Sequence, residues 1–263
     1  ISKGFHAPNI DDMTKVFVKG DNITVPNINL QPEVAYSQEM TISKQTNIGL
    51  FYINGFFTQI NNAILKDSIL VDRNAGMPPP NLVGIVDYDN EFFFTFANQN
   101  SERVDIYGGT LGFDSKLFNE FYIKGDINFT KGININDNRP VAHIPPIFGK
   151  ISMHKNGKKL SLFLDFQYSF DKKAGDFDLA GVDNLEEAPY EIVNINSDTE
   201  MINYYGLPAW ATLNLSISYS FSKNINCQFS VNNLMDEHYK SFGSGISAAG
   251  RNFLTTFRVN YWY

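Results

Sequence analysis

The stretch 171–209 gathers Asp171, Asp176, Asp178, Asp183, Glu186, Glu187, Glu191, Asp198 and Glu200. Hard cations take several carboxylate oxygens at once, so Asp176, Asp178 and Asp183 are the residues that could hold a loop-bound Ca²⁺. Their spacing matches no EF-hand, and acidic surface stretches are commonly just solvated. Tyr190, Tyr204 and Tyr205 in the same stretch can stack on a small ligand, while Trp210, Phe170 and Tyr219 suit an aromatic girdle at a membrane interface. His6, His143, His154 and His238 lie far apart, and no pair has metal-ligand spacing, which argues against haem or zinc. Ser241, Ser244 and Ser247 share a stretch with His238, but no acylation motif accompanies them. Nucleophilic catalysis needs a base within hydrogen-bond reach of the nucleophile, so the expectation is a protein that is not an enzyme and has no resident cofactor.

The elements that must carry these residues are strands. The 263 residues are 43% hydrophobic and 14% aromatic, with 23 Phe and 13 Tyr, and the net charge is −7. Scattered Lys and Arg on an acidic chain argue against a nucleic-acid partner. The single cysteine, Cys227, excludes an internal disulfide. Mean hydropathy is −0.22 and no run approaches the roughly 20 apolar residues a membrane helix needs. A β-barrel escapes that test, because only alternate side chains of its strands meet lipid.

Alternation with period two dominates. Leu213, Leu215, Ile217, Tyr219 and Phe221 oppose Asn214, Ser216, Ser218 and Ser220; Leu160, Leu162, Leu164, Phe166, Tyr168 and Phe170 oppose Ser161, Asp165, Gln167 and Ser169, with Phe163 as the exception. Strands are expected at about 1–7, 34–43, 47–58, 104–113, 118–131, 147–154, 159–170, 210–221, 225–233 and 251–263. A soluble β-sandwich also alternates, but its strands average five or six residues. The expected strands run longer. The gaps between them alternate too: 44–46, 114–117, 155–158 and 222–224 are short, whereas 8–33, 59–103, 132–146, 171–209 and 234–250 are long. Asn156-Gly157 is a hairpin signal, and Gly76-Met77-Pro78-Pro79-Pro80 reads as a stiff turn. Short periplasmic turns and long extracellular loops are the asymmetry of an outer-membrane barrel.

Four segments then resemble one family. Gly4-Phe5-His6-Ala7-Pro8-Asn9 resembles the G-F-R-A-P-N of TonB-dependent receptors, and Val25-Pro26-Asn27 with Leu30-Gln31-Pro32-Glu33 resembles their V-P-N-P-x-L-K-P-E. Asn233-Leu234-Met235-Asp236-x-x-Tyr239 is similar to N-L-F-D-x-x-Y, and Gly250-Arg251-Asn252-Phe253 to the G-R-N-F that opens the last strand. His6 and Gln31 depart from the pattern at loop edges.

The resemblance implies an all-β, antiparallel transmembrane β-barrel of 22 strands, of which about ten are present: residues 1–263 read as a C-terminal segment lacking the plug and the first barrel strands. It implies a place in the cell outer membrane and active uptake of a scarce extracellular small ligand, such as a siderophore-iron complex, cobalamin, an oligosaccharide or a peptide. Its partners would be the lipid bilayer, the TonB complex through the missing N-terminal part, and the barrel-insertion machinery. Phe257, Val259, Tyr261 and Tyr263 alternate up to a terminal aromatic and resemble the signal that engages that machinery. A passive porin or an adhesion barrel is the alternative. Ile1 to Pro8 lacks a leader pattern, so the native chain is expected to begin earlier. A run of ten strands also leaves two unpaired edges, which lipid cannot hydrogen-bond.

Overall fold

The computed structural model describes residues 1–72, 82–118, 120–178, 180, 182–196 and 199–261. Ten strands pair in chain order into one antiparallel path: β1 (Ser2–His6), β2 (Glu33–Gln45), β3 (Gly49–Ser68), β4 (Glu91–Phe118), β5 (Phe121–Asn134), β6 (Phe148–Asn156), β7 (Leu160–Ser169), β8 (Trp210–Ser220), β9 (Ile225–Asn232) and β10 (Asn252–Val259). Each expected strand has its counterpart, in the expected order. Among the described residues β1 and β10 form the two outer edges and do not pair with each other, so the barrel is open.

Register decides what each face does. Leu164 lies opposite Leu215, Leu162 opposite Ile217 and Phe166 opposite Leu213, while Asp165 faces Asn214 and Ser161 faces Ser218. One face is therefore apolar across the sheet. Among the described residues nothing packs over it: Leu111 is 59% exposed, Ile53 54% and Phe257 72%. Burying one such side chain is worth about 1.5–3 kcal/mol, so a surface tiled with them belongs against lipid and not against water. A soluble sandwich would have covered this face with a second sheet. The other face is polar and cross-linked side chain to side chain. Ser37 and Thr58 share a hydrogen bond of 2.8 Å, Asn54 donates to Glu39 at 2.7 Å, Thr110 to Asn128 at 2.7 Å, Ser152 to Asp165 at 2.6 Å, and Ser216 with Ser230 at 2.7 Å. Cross-strand pairs of this kind fix the register as well as the face.

The structure moves two boundaries. Much of the stretch 59–103, expected as a loop, is ladder: β3 and β4 continue pairing from Gln59–Asp105 up to Ser68–Phe96, with β3 ending at Ser68 and β4 beginning at Glu91. No turn forms at 114–117, where one was expected: the ladder runs on to Phe118, because Asp114 and Ser115 stay paired with Lys124 and Ile123. The Gly76 to Pro80 turn lies outside the described residues.

Candidate functional site

Five long connections share one end of the sheet, and side chains pin them to the strands and to each other. The first, between β1 and β2, opens with a short helix Ile10–Thr14 capped by Asn9, then a small hairpin whose strand Asn22–Thr24 runs parallel to Phe94–Phe96 of β4. Asn27 Nδ2 donates to Asn98 O at 2.8 Å, and Asn98 Nδ2 returns a bond to Asp12 O at 2.9 Å. Asn100 Oδ1 accepts from Gln31 N at 2.7 Å. The asparagine of the Val25-Pro26-Asn27 motif is thus a clamp that lays the loop along the upper half of β4. At its root, Glu33 accepts the Ile64 N–H at 2.6 Å and lies 3.0 Å from His6 Nδ1.

The loop between β5 and β6 folds inward. Val141 joins Ala63 and Val104 in a buried cluster flanked by Ile60, Ile106 and Ile144. Arg139 bridges Asp137 and Asp67, the latter at 2.8 Å. Those hydrogen bonds raise the Arg139 pKa; burial works against ionisation of Asp67, but Arg139 and the Ser68 N–H together hold its carboxyl below the usual range.

The acidic stretch after β7 is held by a buried ion pair. Lys172, 4% exposed, donates to Ile144 O at 2.7 Å and pairs with Asp183 at 3.2 Å. Asp183 also accepts the His143 N–H at 2.9 Å. The ammonium sits 4.5 Å from the Phe177 ring centroid and 4.2 Å from that of Phe242, which joins three loops at one charge. Burial pushes the Lys172 pKa down, and Asp183 partly offsets it. Asp178 accepts from the backbone of Val182 and Asp183. Asp176, Asp178 and Asp183, expected as a Ca²⁺ set, therefore do not form an oxygen cage: two are occupied in building the loop, and among the described residues no group of three His, Cys, Asp or Glu could hold a metal.

The expected aromatics do come together. Strands Tyr190–Asn196 and Thr199–Tyr204 form a hairpin that, among the described residues, pairs with no other strand. Tyr190 faces Tyr204 across it, ring centroids 5.8 Å apart, and Tyr205 follows at 57% exposure. Hydrogen bonds from Tyr205 and Asn203 hold the Glu191 carboxyl below its ordinary range. Trp210 departs from expectation. Its register, opposite Ser169 and in step with Thr212, puts it on the polar face, where it stacks on Tyr239 at 4.2 Å. Phe170 and Tyr219 stay on the apolar face, as expected of a girdle. No hydrogen bond joins His238 to the neighbouring serines; Ser244 Oγ donates to Ile246 O.

Beneath the loops, on the polar face, lies a cavity of about 550 Å³. Asp126, Lys150 and Gln167 supply an anion, a cation and an amide, and Trp210, Phe242 and Pro146 supply apolar walls. Such a pocket can grip a polar ligand that carries an apolar body. Sequence reasoning overlooked it, although the phase of alternation in β5 to β8 already turns Asp126, Lys150 and Gln167 inward.

The last loop is built on the Asn233 motif. Asn233 is 4% exposed with φ +50°; its Nδ2 donates to Glu237 O and Ala249 O, and its Oδ1 accepts from Glu237 N. Asp236 Oδ1 accepts the Arg251 N–H at 2.7 Å, and Arg251 Nε donates to Leu234 O at 2.9 Å. The two separated motifs, Asn233 to Tyr239 and Gly250 to Phe253, are thus one hydrogen-bonded unit closing the loop between β9 and β10.

The family model described as TonB dependent receptor-like, beta-barrel matches residues 1–234. The chain belongs to this family of TonB-dependent receptor barrels. Among relatives, the haemoglobin and haemoglobin-haptoglobin-binding protein A of Haemophilus influenzae is 25% identical over 98% of this chain and 23% of its own length. A probable haemoglobin and haemoglobin-haptoglobin-binding protein 4 of the same species is 26% identical over 94% of this chain and 24% of its own. This TonB-dependent receptor chain therefore spans about a quarter of the length of these curated relatives. Among solved structures, a mutant of the ferric enterobactin receptor PfeA of Pseudomonas aeruginosa superposes with a TM-score of 0.67 at 14% identity, covering 98% of this chain and 37% of that one. The copper transporter OprC gives 0.66 at 14%, covering 98% and 36%. At these identities the likeness is one of fold.

Proposed function

We propose that residues 1–263 are the C-terminal run of strands in an outer-membrane receptor that imports a scarce iron-bearing nutrient by TonB-driven transport. The observation that carries the proposal is the loop assembly: the β5–β6 and β9–β10 connections wall a mixed polar and aromatic cavity on the polar face, while the hairpin Tyr190–Tyr204 pairs with no other described strand and leaves Tyr190 and the following Tyr205 exposed. That arrangement offers a first contact outside and a second one within. Two relatives matched along nearly the whole chain carry names that specify haemoglobin, which favours a haem protein as the source of the iron. Tyr190 and Tyr205 are the proposed contacts, with half-buried Tyr204 backing Tyr190 across the hairpin, since exposed aromatics supply the anchors of protein interfaces.

The test is growth on haemoglobin as sole iron source in cells carrying the intact gene, the deletion, or the deletion complemented with Tyr190→Ala and Tyr205→Ala together. The deletion should abolish growth. The double variant should weaken haemoglobin binding about tenfold or more, with normal levels of heat-modifiable barrel. Uptake that persists without TonB would contradict active import and favour a porin.

The C-terminal strand carries the proposed assembly signal. Phe257 and Val259 lie on the apolar face opposite Cys227 and Ile225, with Tyr261 83% exposed beyond them; Tyr263 lies outside the described residues. Replacing Tyr263 by Asp in the intact protein should lower the yield of heat-modifiable barrel in outer-membrane fractions several-fold, whereas Asn260→Asp should not. Equal yields would leave these residues as lipid-facing side chains only.

A further inference from the structure

Two neighbouring glutamates of the acidic stretch are paired across the loops. Glu186 lies 2.8 Å from Lys19 of the first loop, and Glu187 lies 2.7 Å from Lys240 of the last. Asp183, three residues before Glu186, holds the buried Lys172 and accepts the His143 N–H of the loop between β5 and β6. The segment 183–187 is therefore where these loops meet. What it holds in the last loop is a wall of the cavity: Ser241 and Phe242 line that space, and the Phe242 ring centroid is 4.2 Å from the Lys172 ammonium.

The stretch 239–245 has a fixed root and a free side. At the root, Tyr239 stacks on Trp210 at 4.2 Å and its carbonyl accepts the Ala248 N–H at 2.8 Å. On the other side, Gly243 has φ +75°, a Cβ at Gly243 or Gly245 would meet nothing within 4 Å, and Ile246 is 78% exposed. Lids are drawn from parts of a fold with few buried contacts, and positions such as these absorb the backbone change of a moving loop. The tip between root and hinge is tied down by Phe242 on Lys172 and by the half-exposed Lys240–Glu187 pair.

That pair is joined to the exposed hairpin. Ala188, 3% exposed, donates its N–H to Leu185 O at 2.9 Å, and Pro189 O accepts the Tyr205 N–H at 2.9 Å. Tyr190 follows directly. Glu187 and the first residue of the hairpin are thus separated by a short, hydrogen-bonded link with little slack.

We propose that Lys240 and Glu187 latch a hinged flap, residues 239–245, against the cavity, and that a protein docking on the Tyr190 hairpin draws Glu187 away and releases it. Lys240 and Glu187 are positioning residues, since neither lines the cavity. The trigger rests on the uptake reading; the latch does not. An ion pair as exposed as this one shifts a population by about two- to fivefold. Linkage makes the coupling reciprocal, so a partner that opens the flap by that factor binds the latchless protein more tightly by the same factor.

The experiment uses the full-length protein in mild detergent, with Ser169→Cys as reporter in a background stripped of other cysteines. Ser169 lines the cavity and is 8% exposed, so its reaction with a charged methanethiosulfonate follows the open population of the flap. The reporter should react about two- to fivefold faster in Lys240→Ala and in Glu187→Ala, and removing both should be no faster than removing either. Exchanging the charges, Lys240→Glu with Glu187→Lys, should bring the rate back, which a mere loss of packing would not allow. Lys159→Ala in a short turn at the other end should leave it unchanged. Haemoglobin should speed the reporter while the latch is intact, leave Lys240→Ala as it is, and bind Lys240→Ala more tightly by the same factor. Equal reporter rates with and without the latch would overturn the proposal, as would haemoglobin that binds without speeding the reporter. Absence of haemoglobin binding would overturn the uptake reading and the trigger together, and the partner-free rates would then decide the latch alone. Heat-modifiability of each variant confirms that the barrel formed.

Discussion

Replacing Asn233 by valine should release the whole loop between β9 and β10. The change leaves the Glu237 N–H and two carbonyls without the partners they have now. Each lost bond at a buried position costs about 1 kcal/mol or more, and a β-branched residue at positive φ adds about 1–3 kcal/mol of backbone strain. A loss of about 4–6 kcal/mol shifts the opening equilibrium by roughly a thousandfold or more at 1.4 kcal/mol per decade. Hydrogen exchange should lose protection across 233–251 by that factor in the full-length protein. Asn233→Gly, which keeps the backbone conformation and loses only the side-chain bonds, should fall between the two.

Lys172→Met is expected to act as strongly, through the charge it abandons. Asp183, its side chain 3% exposed, would keep the His143 N–H but lose its cation. Breaking one half of a buried pair costs about 3–5 kcal/mol because the other half stays charged. Limited proteolysis should then cut within 135–147 and 170–209 at protease levels the wild type resists. Adding Asp183→Leu should restore much of the resistance, since removing both side chains leaves no uncompensated charge, only the His143 N–H and the Ile144 carbonyl without these partners. A double variant as sensitive as Lys172→Met alone would show that Lys172 acts by packing on Phe177 and Phe242 and not by charge.

Alternation made the strands legible wherever one face meets hydrocarbon. Leu213 to Phe221 could be assigned face by face because water and lipid select opposite side chains. Where β3 and β4 rise above the membrane that selection stops. Gln59, Asn61, Asn98, Gln99, Asn100 and Ser101 are polar on both faces, so a ladder that continues reads as loop. Asp114, Ser115 and Lys116 carried the composition of a turn, yet their backbones pair and Ser115 Oγ donates to Ile48 O. In the loops, residue type conveyed the presence of chemistry and not its arrangement. Asp176, Asp178 and Asp183 looked alike, and only the fold shows that Asp183 answers a lysine and Asp178 a pair of backbone amides. The Asn233 and Arg251 motifs were visible as motifs; that they bond to each other needed the return of the chain through 240–249.

The transmembrane orientation of the sheet underlies everything above, and site-directed spin labelling tests it directly. In full-length protein with Cys227→Ser as background, single cysteines would be placed in turn from Leu213 to Tyr219, reconstituted in lipid, and probed for collision with oxygen and with a water-soluble nickel chelate. Oxygen access should peak at Leu213, Leu215, Ile217 and Tyr219, and nickel access should be out of phase with it, higher at Asn214, Ser216 and Ser218. Two profiles in phase, or a reversed pattern with nickel reaching the leucines, would contradict the lipid-facing assignment.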